Sequence, residues 1–273
     1  MMAAPSLTPQ LFSIFKMLIE ERCGLHYHQD DVELLADRIG TRAAERGFES
    51  LLDYYYFLRY DADGLMELDR LIELLLVHET YFFREVDQLR VLVDVLLAPA
   101  VAAGQRPRVW CAACATGEEP LTIAMLLDER AILDRVGIVA SDLSTAALER
   151  ARRGEFGTRA LRATPPEMFG RYLEQRDNRA VVRPGLIEQI TWQRLNLVDA
   201  PAVAAMGTFD AILCRNVLIY FTDQTACNVV ESLAGCLRPG GSLVVGVSES
   251  LMRFGTSLNC EERGGSFFYQ KAS

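Results

Sequence analysis

Several features are scarce in this sequence of 273 residues, and each scarcity excludes a class of protein. Apolar runs are short, and none approaches the roughly 20 continuous residues that a membrane-spanning helix requires. The opening stretch, MMAAPSLTPQ, contains neither the basic nor the apolar region of a secretory signal. We therefore expect a cytoplasmic protein with no direct membrane insertion.

Positive charge is also in deficit. The chain has 28 Lys and Arg residues against 37 Asp and Glu residues, which gives a net charge of -9. A generic nucleic-acid binder needs a basic surface that neutralises phosphates. We therefore expect no nucleic-acid partner, although local basic faces remain compatible with this charge.

Histidine occurs only three times, and the seven cysteines are an odd number scattered through apolar stretches. This pattern is typical of reduced, buried thiols rather than of a disulfide framework. Cys111 and Cys114 form a C-x-x-C pair, but no second pair and no histidine cluster accompany them. We expect neither a metal site nor a thioredoxin-like redox site.

Apolar residues, by contrast, make up 50% of the chain, enough for a sizeable core. The first 77 residues predict an all-helical domain. Thr8-Pro9 marks the start of its first helix, which Gly24 ends. The other helices are predicted from about Asp31 to Arg46, through LLDYYYFLRY, and from about Leu65 to Val77. Residues 78–94 are interpreted as an interdomain segment and the start of a long linking helix.

Residues 95–273 predict an α/β domain. The short apolar runs RVWCAA, VGIVASD, FDAILCRN and SLVVGVS alternate with helical segments, which favours a mostly parallel sheet covered on both faces. The closing SFFYQ is expected as an antiparallel strand at or near the end of the sheet. Residues 155–192 are interpreted as an inserted β subdomain. In it, Thr164 and Glu167 would form the capping box of a short helix, followed by two or three strands.

Ligands of open α/β sheets bind at the carboxyl ends of the strands, so the loops after the strands are the candidate site. In CAACATGEEP, small residues at 112, 113, 115 and 117 would allow a ligand to approach the backbone, or Thr116 and Glu119 merely form a capping box. Asp142 lies where nucleotide-binding folds place an acid for the ribose hydroxyls. Alternatively, Asp142 or Ser144 only caps the next helix.

Two further segments carry polar groups beside apolar runs. Arg215, Asn216 and Tyr220 follow the apolar strand of FDAILCRNVLIYF, and three polar groups there are more than packing requires. Alternatively, they form a strand end that reaches solvent. In HETYFFRE, Arg84 directly follows three aromatic residues. The simpler interpretation of HETYFFRE is that the aromatics fill a domain junction while the arginine reaches solvent.

Together, the motifs HETYFFRE, RVWCAACATGEEP, ASD, RLNL and FDAILCRNVLIYF resemble those of the CheR family of chemotaxis-receptor (protein-glutamate) O-methyltransferases, in the same order and over essentially the whole chain. The resemblance implies a Rossmann-like methyltransferase fold that uses S-adenosylmethionine and releases S-adenosylhomocysteine. It implies that Glu119 binds the amino group of the cofactor, Asp142 the ribose, and Asn196 and Leu197 the adenine. The implied cofactor-binding set is His78, Thr80, Arg84, Glu119, Asp142, Asn196, Leu197, Arg215 and Asn216.

The resemblance also implies that Arg84 and Tyr220 are the catalytic residues nearest the transferring methyl group. A glutamate acceptor is ionised at neutral pH, so the reaction needs no general base. Charge disappears in the transition state, so these two residues should position the carboxylate rather than activate it. His78 departs from the family pattern, because the family usually has Asn at this position.

The expected partners are the cytoplasmic helical domains of chemoreceptors, docked on a basic helix face formed by Arg38, Arg42 and Arg46. A solvated arginine face is the alternative interpretation. YLEQRDNRAVV lacks the glycine-rich loop with which the family captures a C-terminal receptor peptide, so we expect no such tether. We also expect a monomer. Two other functions stay open: methylation of another carboxylate acceptor, and non-catalytic signalling through cofactor binding.

Overall fold

The computed structural model describes residues 7–272 and contains two compact units. One unit extends to Val77 and also includes Tyr220–Thr225. The other consists of His78–Ile219 and of the chain from Ala226 onward. Among the described residues, no helix has the length and apolarity needed to cross a membrane.

The first unit is built from helices, which lie close to the predicted positions. Thr8 caps the first helix by accepting a hydrogen bond from the N–H of Leu11, and Gly24 ends that helix in a left-handed conformation. Phe15 and Tyr54 are fully buried in its core. The helices are α1 (Pro9–Cys23), α2 (Val32–Glu45), α3 (Leu51–Tyr60) and α4 (Gly64–Leu75).

The second unit contains a seven-stranded sheet in the order β6-β2-β1-β7-β8-β10-β9. The first five strands are parallel, and β10 is antiparallel to both β8 and β9, so the predicted mixed, mostly parallel sheet is confirmed. The strands are β1 (Arg108–Ala112), β2 (Gly137–Asp142), β6 (Ile190–Arg194), β7 (Phe209–Leu213), β8 (Leu237–Val244), β9 (Asn259–Arg263) and β10 (Ser266–Gln270).

Helices alternate with these strands, as the sequence predicts. The predicted linking helix consists of α5 (Val86–Val91), a π-helical turn at Leu92–Leu97, and α6 (Ala98–Ala102). The other helices of this unit are α7 (Glu118–Glu129), α8 (Thr145–Arg153), α9 (Pro184–Ile187), α10 (Ala200–Ala204) and α11 (Asp223–Gly235) from Ala226 onward.

A separate three-stranded antiparallel sheet lies within the predicted insertion, in the order β3 (Glu155–Gly157), β5 (Arg179–Val182), β4 (Leu173–Arg176). Two details of the prediction are wrong. Ile190–Arg194 pairs with β2 in the main sheet, so 190–192 is not part of the small sheet. The capping box does not form either. The Thr164 hydroxyl has no partner, and the chain makes only a turn at Pro166–Met168 before Phe169 becomes extended.

Candidate functional site

The strand order places four loops side by side at the carboxyl edge of the main sheet, because β6, β2, β1 and β7 are consecutive neighbours. Backbone hydrogen bonds join these loops. The N–H of Cys114 donates to the carbonyl of Ser141 (2.9 Å), and the N–H of Leu195 donates to the carbonyl of Asp142 (2.9 Å). The loop after β7 is connected to the others by the hydrogen bond from Arg215 to Glu119 at the start of α7 (2.7 Å). The four loops therefore form one continuous rim.

The loop after β1 adopts an unusual backbone, with positive φ at Ala113 (58°), Ala115 (47°) and Gly117 (93°). Gly117 has a packing role that the sequence did not reveal. A Cβ at Gly117 would lie 2.7 Å from the Cβ of Ala151 and 2.9 Å from the ring of Trp192. The glycine therefore permits α8 and β6 to pack closely against the loop.

The alternative capping box in this loop is wrong. Gly117 precedes α7 without a side-chain cap, and the hydroxyl of Thr116 donates to the carboxylate of Glu118 (2.7 Å). Glu118 is buried, and this burial raises the pKa of its carboxyl group. Glu119 points elsewhere, because its carboxylate binds Arg215.

Asp142 lies at the end of β2 with 8% of its surface exposed. Its Oδ2 accepts a hydrogen bond from the N–H of Ala115 (2.7 Å), and its Oδ1 accepts one from the N–H of Ser144 (2.9 Å). Ser144 is the cap of α8, since its hydroxyl accepts from the N–H of Ala147. Asp142 therefore does more than cap a helix, because it fixes the loop after β1 against the end of β2.

Arg215 makes several contacts at this edge, and its side chain is only 2% exposed. Its Nη1 donates to Oε2 of Glu119 (2.7 Å). Its Nη2 donates to Oε2 of Glu85 and to the carbonyl of Arg84, both at 2.9 Å. A buried guanidinium is stable only when its charge and its hydrogen bonds are satisfied, and these contacts satisfy both of its terminal nitrogens.

Two carboxylates of this region were not assigned a role from the sequence. Glu85 belongs to the motif HETYFFRE and binds Arg215. Glu249 accepts hydrogen bonds from the N–H groups of Asn216 (2.7 Å), Gly246 (2.8 Å) and Leu218 (2.9 Å). Burial raises the pKa of Glu249, while these backbone donors act in the opposite direction. Asn216 has φ of 59°, so Glu249 holds a strained loop in place.

The segment 78–84 is anchored in the sheet domain. Phe82 is fully buried and packs edge-on against Phe156, with a centroid distance of 4.8 Å. The N–H of Phe83 donates to the hydroxyl of Thr122 (3.1 Å). The structure thus places both phenylalanines in the core of this domain, where the sequence suggested a domain junction.

Arg84 differs from its aromatic neighbours in being half-buried. Its Nη1 donates to the backbone carbonyl of Glu79 (3.0 Å), and its guanidinium lies 5.6 Å from the ring centroid of Tyr81. The two carboxylates nearest in sequence are not available, because Glu85 binds Arg215 (2.9 Å) and Glu79 pairs with Arg162 (2.6 Å). Within the described part of the chain, Arg84 makes no ion pair. Thr80, in the same segment, is also half-buried.

Buried nitrogen and oxygen atoms without a hydrogen-bond partner indicate whether this edge fits a polar cofactor. Among residues 7–272, five buried side-chain nitrogen or oxygen atoms have no hydrogen-bond partner, and two of them are Nε2 of His78 and Nε of Arg215. Both residues belong to the implied cofactor-binding set. A buried polar atom without a partner is unfavourable, so these two atoms fit a site that a polar ligand completes. Asn196 and Leu197 follow β6 at the same edge, half-buried and buried respectively.

The helical unit contains the remaining predicted residues. The predicted docking face needs correction at Arg42. Its Nε and Nη2 donate to the two carboxylate oxygens of Glu67 at 2.6 and 2.9 Å, and Tyr54 donates to the same carboxylate (3.1 Å). Burial alone would raise the pKa of Glu67, but Arg42 and Tyr54 lower it below its usual range. Arg42 therefore binds within its own domain, whereas Arg38 and Arg46 are exposed.

Tyr220 also belongs to the helical unit by its contacts. It closes a short 3-10 turn, Leu218–Tyr220, and is half-buried. Its carbonyl accepts a hydrogen bond from the N–H of His26 (2.8 Å). The backbone of Tyr220 is thus held by the loop that follows α1.

The C-x-x-C pair is part of the core. Cys111 and Cys114 are both buried, and burial raises the pKa of each thiol well above its ordinary value. These thiols stay protonated at neutral pH and contribute to packing.

Comparison with known proteins covers both units. The family model described as CheR methyltransferase, SAM binding domain, matches residues 78–263, and the one described as CheR methyltransferase, all-alpha domain, matches residues 10–76. Chemotaxis protein methyltransferase 1 of Pseudomonas aeruginosa is 33% identical, covering 88% of this chain and 90% of that protein. Chemotaxis protein methyltransferase 2 of Vibrio cholerae is 32% identical (97% and 94%), and the chemotaxis protein methyltransferase of Vibrio parahaemolyticus is 34% identical (92% and 92%).

Proposed function

The chain belongs to the CheR methyltransferase family, and we propose that it transfers a methyl group from S-adenosylmethionine to glutamate side chains of chemoreceptors, forming methyl esters. The names of its relatives and the match to a SAM-binding domain support this proposal. The observation that carries it is the rim of four loops, where buried Arg215 is fixed between Glu85 and Glu119.

The residues at this rim suit the parts of the cofactor. Glu119 supplies a carboxylate for the ammonium group, and Asp142 supplies one for the ribose hydroxyls. His78 and Arg215 each offer a buried nitrogen without a partner in the protein. Asn196 and Leu197, which follow the edge strand β6, are assigned to the adenine. Thr80 and Asn216 complete the proposed set.

When bound, the cofactor supplies a methyl group on a positively charged sulfur. The acceptor glutamate has an ordinary pKa of about 4.3, so it is an anion at neutral pH and needs no base. Arg84 suits the task of orienting this carboxylate, because its own contacts are a carbonyl oxygen and an aromatic ring rather than an acid. We assign Tyr220 to the same task. Both residues would raise the rate by fixing the geometry of the in-line attack.

The experiment that tests the proposal uses labelled S-adenosylmethionine and cytoplasmic fragments of candidate chemoreceptors. Transfer to glutamate gives a base-labile methyl ester, so label released as methanol by mild alkali is the expected result. Each acceptor Glu is then replaced by Ala as a control, which should remove the label. Binding of the cofactor without transfer to any receptor would contradict the proposed acceptor. It would favour another carboxylate acceptor or a non-catalytic signalling role.

We further propose that receptor docking uses Arg38 and Arg46 rather than Arg42, because both are exposed. Arg46 also lies 3.4 Å from Glu67 but keeps 41% of its side chain exposed, whereas Arg42 is 18% exposed and is held by two hydrogen bonds to Glu67. The turn between β4 and β5 contains Asp177 and Asn178 instead of a glycine-rich loop. Recognition through a C-terminal receptor tether is therefore not part of the proposal. The chain is proposed to act as a cytoplasmic monomer without a metal ion.

A further inference from the structure

The segment Arg84–Glu85 holds Arg215 in two ways, through the carbonyl of Arg84 and the carboxylate of Glu85. Glu85 has φ of 49°, a left-handed conformation that is unusual for a residue with a side chain. Its carboxylate also accepts hydrogen bonds from the N–H of Val247 (3.1 Å) and from Nδ2 of Asn216 (3.5 Å). One carboxylate thus joins the start of α5 to the loops after β7 and β8.

The charges of this cluster do not cancel. Arg215 carries one positive charge, and Glu85 and Glu119 carry one negative charge each. Their side chains are only 2%, 17% and 15% exposed, so water screens them weakly. Burial alone would raise the pKa of Glu85, but Arg215 and the N–H of Val247 lower it, so Glu85 is ionised at neutral pH. The cluster therefore contains one more acid than its arginine can neutralise.

This excess of one negative charge suggests that Glu85 and Glu119 have different roles. We propose that Glu85 is a positioning residue that serves as the counter-ion of Arg215, so that the charge of Glu119 remains available for the ammonium group of the ligand. If Glu85 were neutral, Glu119 would be the only counter-ion of Arg215, and its attraction for a second cation would fall. The inference deepens the proposed function and rests on it, because the cation is the α-ammonium of S-adenosylmethionine or S-adenosylhomocysteine.

Binding measurements on the full chain test this division without any turnover. The ligands are S-adenosylhomocysteine and its deaminated analogue, which lacks only the α-ammonium group. For Glu85→Gln, we expect about five- to tenfold weaker binding of S-adenosylhomocysteine, the usual size of a weakened charge-assisted contact, and less than about twofold change for the analogue. Asp87→Asn is the matched control, since Asp87 lies in the same helical turn, is 92% exposed, and pairs with exposed Arg90.

A double-mutant cycle asks whether Glu85 acts through Glu119. In the Glu119→Gln background, adding Glu85→Gln should cause little further loss of S-adenosylhomocysteine binding, because the charge that Glu85 preserves is already absent. Additive losses in a double variant that thermal unfolding shows to be folded would overturn the inference. Equal losses for both ligands in Glu85→Gln would also overturn it, because Glu85 would then act only on the structure of the site.

Two further measurements keep the result interpretable. Thermal unfolding shows whether Glu85→Gln is folded, and Glu85→Asp, which keeps the charge, should retain the preference for the ligand with the ammonium group. Loss of that preference in Glu85→Asp would count against the inference. Unchanged binding in Glu85→Gln, together with normal methylation by the wild-type chain, would refute the role of Glu85 and leave the proposed function intact. The reverse pattern, a loss specific to the ammonium group without methylation of any receptor, would support the role of Glu85 and reject the proposed acceptor.

Discussion

Replacing Arg42 by Met should destabilise the helical domain, whereas replacing Arg38 by Met should not. Both arginines lie on α2, one helical turn apart. Arg42 is 18% exposed and forms a bidentate ion pair with Glu67, which is 2% exposed. Arg38 is exposed. The two substitutions remove the same charge from the same helix, so they separate a folding role from a docking role.

The expected magnitude follows from what Glu67 retains. Removal of one partner of a buried ion pair costs about 3–5 kcal/mol, because the other charge stays buried. In this domain Tyr54 still donates to Glu67, and Arg46 and Arg70 lie 3.4 and 3.8 Å away. These groups offset part of the loss, so we expect Arg42→Met to lower the free energy of unfolding by about 2–4 kcal/mol. Arg38→Met should change it by less than about 0.5 kcal/mol.

Urea titration followed by circular dichroism at the helical band measures both values, and the receptor methylation assay is run on the same samples. If Arg38 contributes to docking, Arg38→Met lowers receptor methylation without changing stability. Equal stability of the two variants would refute the argument for the ion pair, since Glu67 would then be adequately solvated or paired without Arg42.

The remaining predictions concern pH, packing and turnover. The folded-state pKa of Glu67 is lowered, so the stability that its charge contributes is complete above the ordinary Glu pKa of about 4.3 and is lost as the pH falls through the folded-state value. The free energies of unfolding of wild type and Glu67→Gln, measured by urea titration, should therefore converge in acid. Gly117→Ala should lower the free energy of unfolding by about 2–4 kcal/mol, because the new Cβ is in a left-handed conformation and also overlaps Trp192. Gly104→Ala has a similar φ but open space around it, so in the same unfolding assay it should lower this free energy by only about 1 kcal/mol. Arg84→Ala should reduce kcat about a hundredfold while leaving the thermal unfolding curve unchanged, and near-normal turnover would remove Arg84 from the mechanism.

The fold could be predicted largely because its signals are local. Alternation of apolar strands with helices gives a parallel sheet whatever the ligand, and the cap at Thr8 and the stop at Gly24 depend on adjacent residues. The assignment of residues 190–192 to the inserted subdomain is wrong for the same reason. A short strand has the same composition in either sheet, and only its pairing with β2 distinguishes them.

The site was only partly predictable, because some of its carboxylates work through distant partners. Glu249 binds backbone N–H groups of residues around Asn216, which any sequence could supply. Arg42 and Arg38 share the same helical spacing, and the difference between them is Glu67, which lies on another helix. A sequence pattern shows where a charge occurs, but the number of acids around it is a property of the tertiary structure.

The balance between acids and arginines distinguishes the roles of three arginines. Arg42 pairs with buried Glu67 and exposed Glu45, but Glu67 also lies 3.4 Å from Arg46 and 3.8 Å from Arg70. Arginines therefore balance the acids around Arg42, and its charge is used for stability. Arg215 is matched by two acids, so its surroundings are attractive to another cation, such as the ammonium group of the cofactor. Arg84 forms no ion pair within the described residues, so its charge is available to an anion from outside the chain. Methyl transfer brings together a cationic donor and an anionic acceptor. The excess of negative charge around Arg215 suits the cationic donor, and the available positive charge of Arg84 suits the anionic acceptor.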